Sequence, residues 1–81
     1  MDLPYGVYVL RCANGKYYTG FTTNIKKRIL AHVNGEVLFT KDILPIELVH
    51  LSLFANKQKA YDFERYLKIG SGKAFRNKRL I

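Results

Sequence analysis

Apolar residues change their spacing along the chain, and each change marks a predicted element. Residues 5–12 combine β-branched and aromatic side chains, which is typical of a strand, and they run into the turn signal Asn14-Gly15. Residues 16–22 resume the same chemistry, so the two runs predict an antiparallel hairpin. Gly20 falls inside the second strand, where a glycine often marks a close approach to the backbone.

A helical period follows the hairpin. In residues 24–34 apolar side chains recur at every fourth position, residues 22–24 offer polar N-caps, and Asn34-Gly35 supplies a C-terminal stop. These features predict one helix. Residues 36–44 have no firm period and are predicted to form a loop.

The second half of the chain is predicted to add a strand and two helices. The mostly apolar residues 46–54 favour a third strand placed against the hairpin. Asn56 is the predicted cap of a second helix, which the Gly-Ser-Gly break at residues 70–72 ends. Ser71 is the predicted cap of a short basic helix at the C-terminus. The order β-β-α-β-α-α predicts an α+β fold, a small three-stranded antiparallel sheet flanked by helices.

Composition narrows the class of protein. The 81 residues leave room for one domain, residues 1–81, and 48% hydrophobic residues argue against disorder. Cys12 is the single cysteine, so neither an intramolecular disulfide nor a cysteine-based zinc site is expected. A reducing, cytoplasmic setting is therefore expected. No stretch approaches the length of a membrane span, so the chain is expected to be soluble.

Charge indicates the kind of partner. Fourteen Lys and Arg oppose six Asp and Glu, which gives a formal net charge of +8. Clustered cations bind favourably to nucleic acid and to an anionic membrane surface. Solubility or ribosome-like background charge would explain the same balance, so charge alone leaves the partner open.

Glu64 breaks the pattern of the second helix. At about 100° per residue it lies roughly 40° from Ala60 and roughly 60° from Leu67, at the edge of the apolar stripe. A carboxylate there needs a cationic partner, because a buried unpaired charge is costly. A metal ion, an arginine or a salt bridge to a neighbouring Lys or Arg would each serve, and the pattern does not choose among them.

Four further polar or aromatic residues are candidates for a shared site. Arg28 and His32 lie four apart on the first helix, so their side chains share one face beside the apolar stripe. Tyr8 and Tyr18 come from the two opening strands. Each one alone also fits an ordinary packing or surface role. If they converge with Glu64, they would bring a base, a cation and a metal ligand into one pocket.

The motifs in which these residues stand resemble a known family. Gly6-Val7-Tyr8 precedes Tyr18-Thr19-Gly20 by ten residues, which is similar to the paired motif of the GIY-YIG nucleases. The first helix of that family carries an arginine and often a histidine four residues on, matched here by Arg28 and His32. A later helix carries a metal-binding glutamate, matched by Glu64.

The resemblance covers essentially the whole chain. It is closest to the short stand-alone members, which also resemble the nuclease module of bacterial excision-repair proteins, so a role in DNA repair is expected. Val7 and Thr19 replace the two eponymous isoleucines. No residue matches the polar group that some members place after the glutamate. The fold of the family agrees with the α+β prediction.

The resemblance implies metal-dependent hydrolysis of a phosphodiester bond. Glu64 would bind one Mg²⁺ or Mn²⁺, and no small-molecule cofactor is expected. Tyr8 or Tyr18 would take the proton from the attacking water once adjacent cations lower its pKa, and His32 could share this role. Arg28 would clamp the phosphate.

The remaining cations are expected to hold the backbone of the nucleic acid, expected to be DNA, without reading its bases. They are Lys16, Lys26, Lys27, Lys73, Arg76, Lys78 and Arg79. A monomer or weak dimer that does not bind membranes is expected. Two alternatives stay open: a catalytically weak or inactive nucleic-acid-binding module of the same fold, and a small interaction subunit for a protein or membrane partner.

Overall fold

The elements follow one another in the predicted order. The computed structural model describes residues 3–37 and 40–81, so residues 38–39 of the predicted loop lie outside the described residues. The elements are β1 (Tyr5–Cys12), β2 (Tyr17–Thr22), α1 (Ile25–Val33), β3 (Ile46–Phe54), α2 (Lys57–Leu67) and α3 (Gly70–Arg79). This α+β architecture confirms the prediction. In the described ranges, no helix combines the length and apolar character that crossing a membrane requires.

The three strands form one antiparallel sheet in the order β2-β1-β3. The central position of β1 agrees with its composition, because Val7, Tyr8, Val9 and Leu10 are all fully buried. At the hairpin turn, Gly15 has a φ of 81°, a conformation that glycine adopts without steric cost. A central strand with two partners has its backbone fixed on both sides, which makes it a rigid support for side chains.

One face of the sheet carries the main apolar core. Val7 and Val9 of β1 pack against Ala60 and Leu67 of α2, and all four are fully buried. Because successive side chains of a strand point to opposite faces, Tyr8 must lie on the other face. Aromatic residues surround the core on the α2 side: Tyr5, Tyr17, Phe21, Phe54 and Phe63.

The opposite face of the sheet supports α1. Tyr8 of β1 stands directly across from Gly20 of β2, and a Cβ at Gly20 would collide with the phenol ring of Tyr8. The prediction that Gly20 marks a close approach is therefore confirmed. The glycine lets the phenol lie over β2 and reach the residues of α1.

Two of the predicted helix caps are confirmed and one is wrong. The side chains of Asn24 and Asn56 accept hydrogen bonds from the backbone N–H groups of Lys27 and Lys59, at 3.1 Å and 3.0 Å. The cap residue of α3 is Ile69, without a side-chain hydrogen bond, so Ser71 lies inside the first turn. α2 ends at Leu67 and α3 begins at Gly70, so the Gly-Ser-Gly segment forms the first turn of α3 and is not the break that ends α2.

Candidate active site

Tyr8 is the centre of a hydrogen-bonded cluster between β1 and α1. Its hydroxyl lies 3.0 Å from Nε2 of His32 and accepts a hydrogen bond of 3.1 Å from Nε of Arg28. Tyr8 and His32 are fully buried, whereas Arg28 is half-buried. The structure thus brings together three of the predicted site residues.

Local features explain how α1 presents its two residues. The Asn24 cap starts the helix immediately after β2, and Arg28 and His32 follow one turn apart on the same face. Rings of Tyr8 and His32 meet edge to face, with centroids 5.6 Å apart. The sheet and the helix therefore fix the imidazole from two directions.

Thr40 is a site residue that sequence reasoning missed. Its Oγ1 lies 2.7 Å from Nδ1 of His32, and both side chains are fully buried. Each ring nitrogen of His32 therefore has one partner, Thr40 on one side and Tyr8 on the other. Thr40 belongs to the segment predicted as loop, where no periodicity distinguishes a buried threonine from an exposed one.

The pKa shifts favour neutral forms of both buried groups. Burial raises the pKa of Tyr8 above its usual 10.0, and the hydrogen bond from Arg28 opposes this only in part. Burial, with the nearby charge of Arg28, lowers the pKa of His32 below 6.5. The expectation that adjacent cations lower the phenol pKa is therefore wrong for Tyr8, because loss of water around the phenol outweighs the attraction to Arg28.

In a neutral His32 one ring nitrogen donates and the other accepts. If Tyr8 donates to Nε2, the Nδ1–H donates to Thr40, and the other tautomer reverses both bonds, because each hydroxyl can donate or accept. The Tyr8 oxygen keeps a lone pair for the Nε–H of Arg28. The hydrogen bond with Tyr8 also raises the pKa of Arg28, so its guanidinium stays charged.

Tyr18 extends the cluster toward the open edge of β2. Its ring centroid lies 5.1 Å from that of His32 and 6.2 Å from that of Tyr8. Tyr18 is half-buried, and a hydrogen bond with it contributes to the raised pKa of Arg28. Unlike Tyr8, Tyr18 is one of the residues that line an open cleft.

Glu64 lies on α2, which packs on the other face of the sheet, and within the described ranges it forms no hydrogen bond or ion pair with Arg28, the cation of the Tyr8 cluster. Its side chain is 14% exposed, and Oε2 is 2.9 Å from Nζ of Lys68. A salt bridge to a neighbouring lysine was one of the alternatives that the sequence left open, and it is the arrangement present. Lys68 and Tyr18 line the same cleft, which is the connection that the structure shows between the ion pair and the cluster.

Glu64 is compatible with a simple metal site. In residues 3–37 and 40–81, no group of three His, Cys, Asp or Glu side chains could enclose a metal ion. Mg²⁺ does not need such a cage, because it keeps several waters and is often bound through one or two carboxylates and a substrate phosphate. The side chain of Lys68 is 51% exposed, so it can move away from Glu64.

The predicted nucleic-acid-binding residues fall into separate groups. Lys73 and Arg76 of α3 line the cleft with Tyr18, and Lys27 lines a depression beside Arg28. Lys68 joins the first group, although the sequence analysis did not include it. Its position four residues after Glu64 was the available signal. The other predicted cations are exposed at the hairpin turn, on α1 and near the end of α3: Lys16, Lys26, Lys78 and Arg79.

The fold and the cluster together define a class of protein. The family model of the GIY-YIG catalytic domain matches residues 4–79, and the chain belongs to this family, which is a nuclease family. Several relatives that are similar to this chain are UPF0213 proteins. One from Clostridium perfringens is 41% identical over 91% of this chain and 76% of its own length. Another, from Natronomonas pharaonis, is 43% identical over 84% of this chain and 81% of its own length.

A solved structure shows the same fold. The solution NMR structure of the UPF0213 protein BH0048 from Bacillus halodurans superposes with a TM-score of 0.60. The two chains are 32% identical, and the superposition covers 94% of this chain and 83% of the other. The sheet and the helices that support the cluster are thus shared with this relative.

Proposed function

We propose that this protein is a metal-dependent endonuclease that hydrolyses phosphodiester bonds of nucleic acid, with DNA as the expected substrate. The observation that carries the proposal is the hydrogen-bonded chain Arg28–Tyr8–His32–Thr40, which ends at a charged, half-buried guanidinium in the depression that Lys27 also lines. An arginine that only forms a surface ion pair does not need buried hydrogen bonds to hold it in place. An arginine that must meet a phosphate in one fixed position does need them.

Arg28 is the proposed phosphate clamp. Its Nε–H is committed to Tyr8, so the terminal Nη groups are the ones that would meet two oxygens of the phosphate. Holding the guanidinium in advance reduces the cost of ordering it when charge develops in the transition state. Tyr8, His32 and Thr40 act through Arg28 in this proposal, as positioning residues.

Tyr18 is the phenol proposed to meet the attacking water. It is half-buried and borders the cleft, whereas Tyr8 is fully buried and cannot touch a solvent molecule in this conformation. Arg28 hydrogen-bonds both phenols, so a water that meets Tyr18 would lie close to the guanidinium. The geometry supports a division of labour between the two tyrosines.

Glu64 is the proposed ligand of a Mg²⁺ or Mn²⁺ ion. When bound, such an ion supplies neutralisation of the charge that builds on the phosphoryl and leaving oxygens. Lys68 must release the carboxylate for this to happen, and its exposed side chain allows the movement. No small-molecule cofactor is proposed. The chain is proposed to act as one domain, monomer or weak dimer, in the cytoplasm, where its buried free Cys12 suits a reducing setting.

The test is cleavage by three variants with Mg²⁺, on duplex, flap, junction and single-stranded substrates. Glu64→Ala, Arg28→Ala and Tyr18→Phe should each lower the rate by about a hundredfold or more, as expected when an electrostatic or proton-transfer group is removed. Thermal unfolding and circular dichroism check that each variant is folded. Cleavage at the rate of the unmodified protein by all three folded variants would reject the site.

A nucleic-acid-binding module without hydrolysis is the second candidate. The Lys68–Glu64 ion pair favours it, because it occupies the carboxylate that the metal would need. In that case the protein would shift nucleic acid in a gel and cut none of the substrates with Mg²⁺ or Mn²⁺. The same set of substrates therefore separates the two candidates.

A further inference from the structure

An open cleft lies between the edge of the sheet and the C-terminal helices. It has a volume of about 420 Å³, and its walls come from Tyr17, Tyr18 and Thr19 of β2, from Lys68 after α2, and from Lys73 and Arg76 of α3. Three of these six residues are cations. The cleft therefore has a chemistry suited to an anion.

Two of the three cations in the cleft form no ion pair with an acidic residue of the described ranges. Within the described ranges, Lys68 has a carboxylate partner in Glu64, and neither Lys73 nor Arg76 forms an ion pair. Two cations with unmet charge on one wall attract a negative group strongly, because the protein behind them lowers the local dielectric constant. A phosphate is the anion that the proposed substrate would bring.

Arg76 is held ready for such a ligand. Its guanidinium carbon lies 5.4 Å from the centroid of the Tyr17 ring, and Nε and Nη2 both donate to Oδ1 of Asn77 at 3.1 Å. A neutral amide and an aromatic ring orient the guanidinium without cancelling its charge. The side chain therefore loses little freedom when it binds an oxyanion.

The position of α3 relative to α2 is also fixed. Gly72 is buried, and a Cβ at this position would collide with the backbone carbonyl of Tyr66. The rings of Tyr66 and Phe75 are in contact, with centroids 6.1 Å apart. Lys73 and Arg76 follow Gly72 on the same helix, so this close packing sets the width of the cleft.

Tyr18 connects the cleft to the proposed catalytic cluster. Tyr18 is part of the wall of the cleft, and its ring lies against His32 and Tyr8 on the α1 face of the sheet. A strand of nucleic acid whose reacting phosphate lies at Arg28 would reach the cleft by crossing the open edge of β2. Thr19 also lines the cleft, and its buried hydroxyl has no hydrogen-bond partner among the described residues.

We propose that this cleft binds a second, non-scissile phosphate of the substrate strand through Lys73 and Arg76. The identity of the ligand as a nucleic-acid phosphate rests on the proposed function, whereas the presence of an oxyanion site does not. Bound there, the phosphate would orient the strand relative to Arg28 and add affinity. The site would act on binding and leave the chemical step to the cluster.

The test compares two double variants that remove equal charge. Lys73→Ala/Arg76→Ala alters the cleft, and the control Lys57→Ala/Lys59→Ala alters two exposed cations of α2 that do not line it and have no predicted role in binding. Fluorescence anisotropy with a short labelled oligonucleotide, in metal-free buffer, gives Kd. The cleft variant should bind at least tenfold more weakly and the control less than threefold. Equal losses for the two variants would overturn the proposal, since they would show a diffuse basic surface.

Two further measurements separate this proposal from the proposed nuclease activity. In an NMR titration with inorganic phosphate, the amide signals of residues 73 and 76 should shift and saturate in the unmodified protein, whether or not it cleaves nucleic acid. Absence of saturable shifts would overturn the oxyanion site. If cleavage is observed, the cleft variant should raise KM at least tenfold and change kcat less than threefold, whereas a loss confined to kcat would contradict a binding role.

Discussion

At the scale of single residues, the Tyr8 oxygen is the atom at which the hydrogen bonds of the site meet. It accepts from Arg28 and lies against Nε2 of His32, whose other nitrogen meets Thr40. In a buried chain of this kind each group satisfies the next, and a missing link leaves an unpaired polar atom. Thr40 is the last link, because its hydroxyl is the partner of Nδ1, the ring nitrogen that does not face Tyr8.

Replacing Thr40 tests this chain. Thr40→Val keeps the shape but leaves Nδ1 of His32 without a partner, which should lower the free energy of unfolding by about 1–3 kcal/mol. Thr40→Ser retains the hydroxyl and should preserve the hydrogen bond. Urea unfolding measures the stability of both variants.

The pH dependence of cleavage distinguishes positioning from packing. If Thr40 fixes the tautomer of His32, Thr40→Val should shift the acidic limb of the pH–rate profile, and Thr40→Ser should restore it. An unchanged profile in a folded, less stable Thr40→Val protein would assign Thr40 a packing role alone.

At the scale of elements, the hairpin has to leave space for Tyr8. Gly20 on β2 is the residue that creates this space, since its backbone lies directly under the phenol ring. α1 can then cover the ring from the other side. The pairing of two strands and the placing of one helix thus depend on a single missing side chain.

Gly20→Ala should therefore destabilise the fold, although it adds only one methyl group. The added methyl group must displace the phenol of Tyr8, and overpacking of this kind typically costs about 1–3 kcal/mol. Thermal unfolding and the cleavage rate should both decrease, because Arg28 loses its partner. Gly70→Ala is the matched control: nothing lies within 4 Å of its added methyl group, and alanine favours the helix it starts. Equal melting temperatures for the two variants would contradict the close approach.

At the scale of the whole molecule, two helices cover opposite faces of one small sheet. α2 packs on the face with Val7 and Val9, and α1 packs on the face with Tyr8. Residues from the two layers can approach each other at the open edge of β2, where Tyr18 and Lys68 border one cleft. This arrangement places the proposed reaction at an edge that a long polymer can reach.

The stability of the whole fold should depend on pH at both ends of the range. His32 and His50 have folded-state pKa values below 6.5, mainly through burial. Their contribution to the free energy of unfolding is therefore complete above pH 6.5, and it is lost as the pH falls through their folded-state pKa values. The pKa of Tyr8 is raised above 10.0, again mainly through burial, so its contribution is lost as the pH rises beyond 10.0.

Urea unfolding between pH 5 and pH 8 measures the acidic part of this dependence. His50→Gln removes the contribution of the histidine that hydrogen-bonds Ser52 and should leave the part due to His32. The curve should still fall toward acid in this variant. A flat curve would show that burial of neutral His32 does not contribute to the stability.

Local signals were sufficient to predict the elements of this chain and their order. The Asn14-Gly15 turn, the caps Asn24 and Asn56 and the changing apolar periods act through neighbours in sequence, so they can be recognised without a fold. Ser71 had the same kind of signal and was misinterpreted. The break between α2 and α3 depends on Gly72 packing against Tyr66, a contact between helices.

The amino-acid sequence by itself determined the α+β class, the basic charge and the residue types available for chemistry. Only the tertiary structure decided that Tyr8 is buried with a raised pKa, that Thr40 closes the chain behind His32, and that Lys68 pairs with Glu64 beside a cleft. The physical reason is that burial and hydrogen-bond partners are set by segments distant in sequence. Periodicity and spacing describe only what a residue's near neighbours impose.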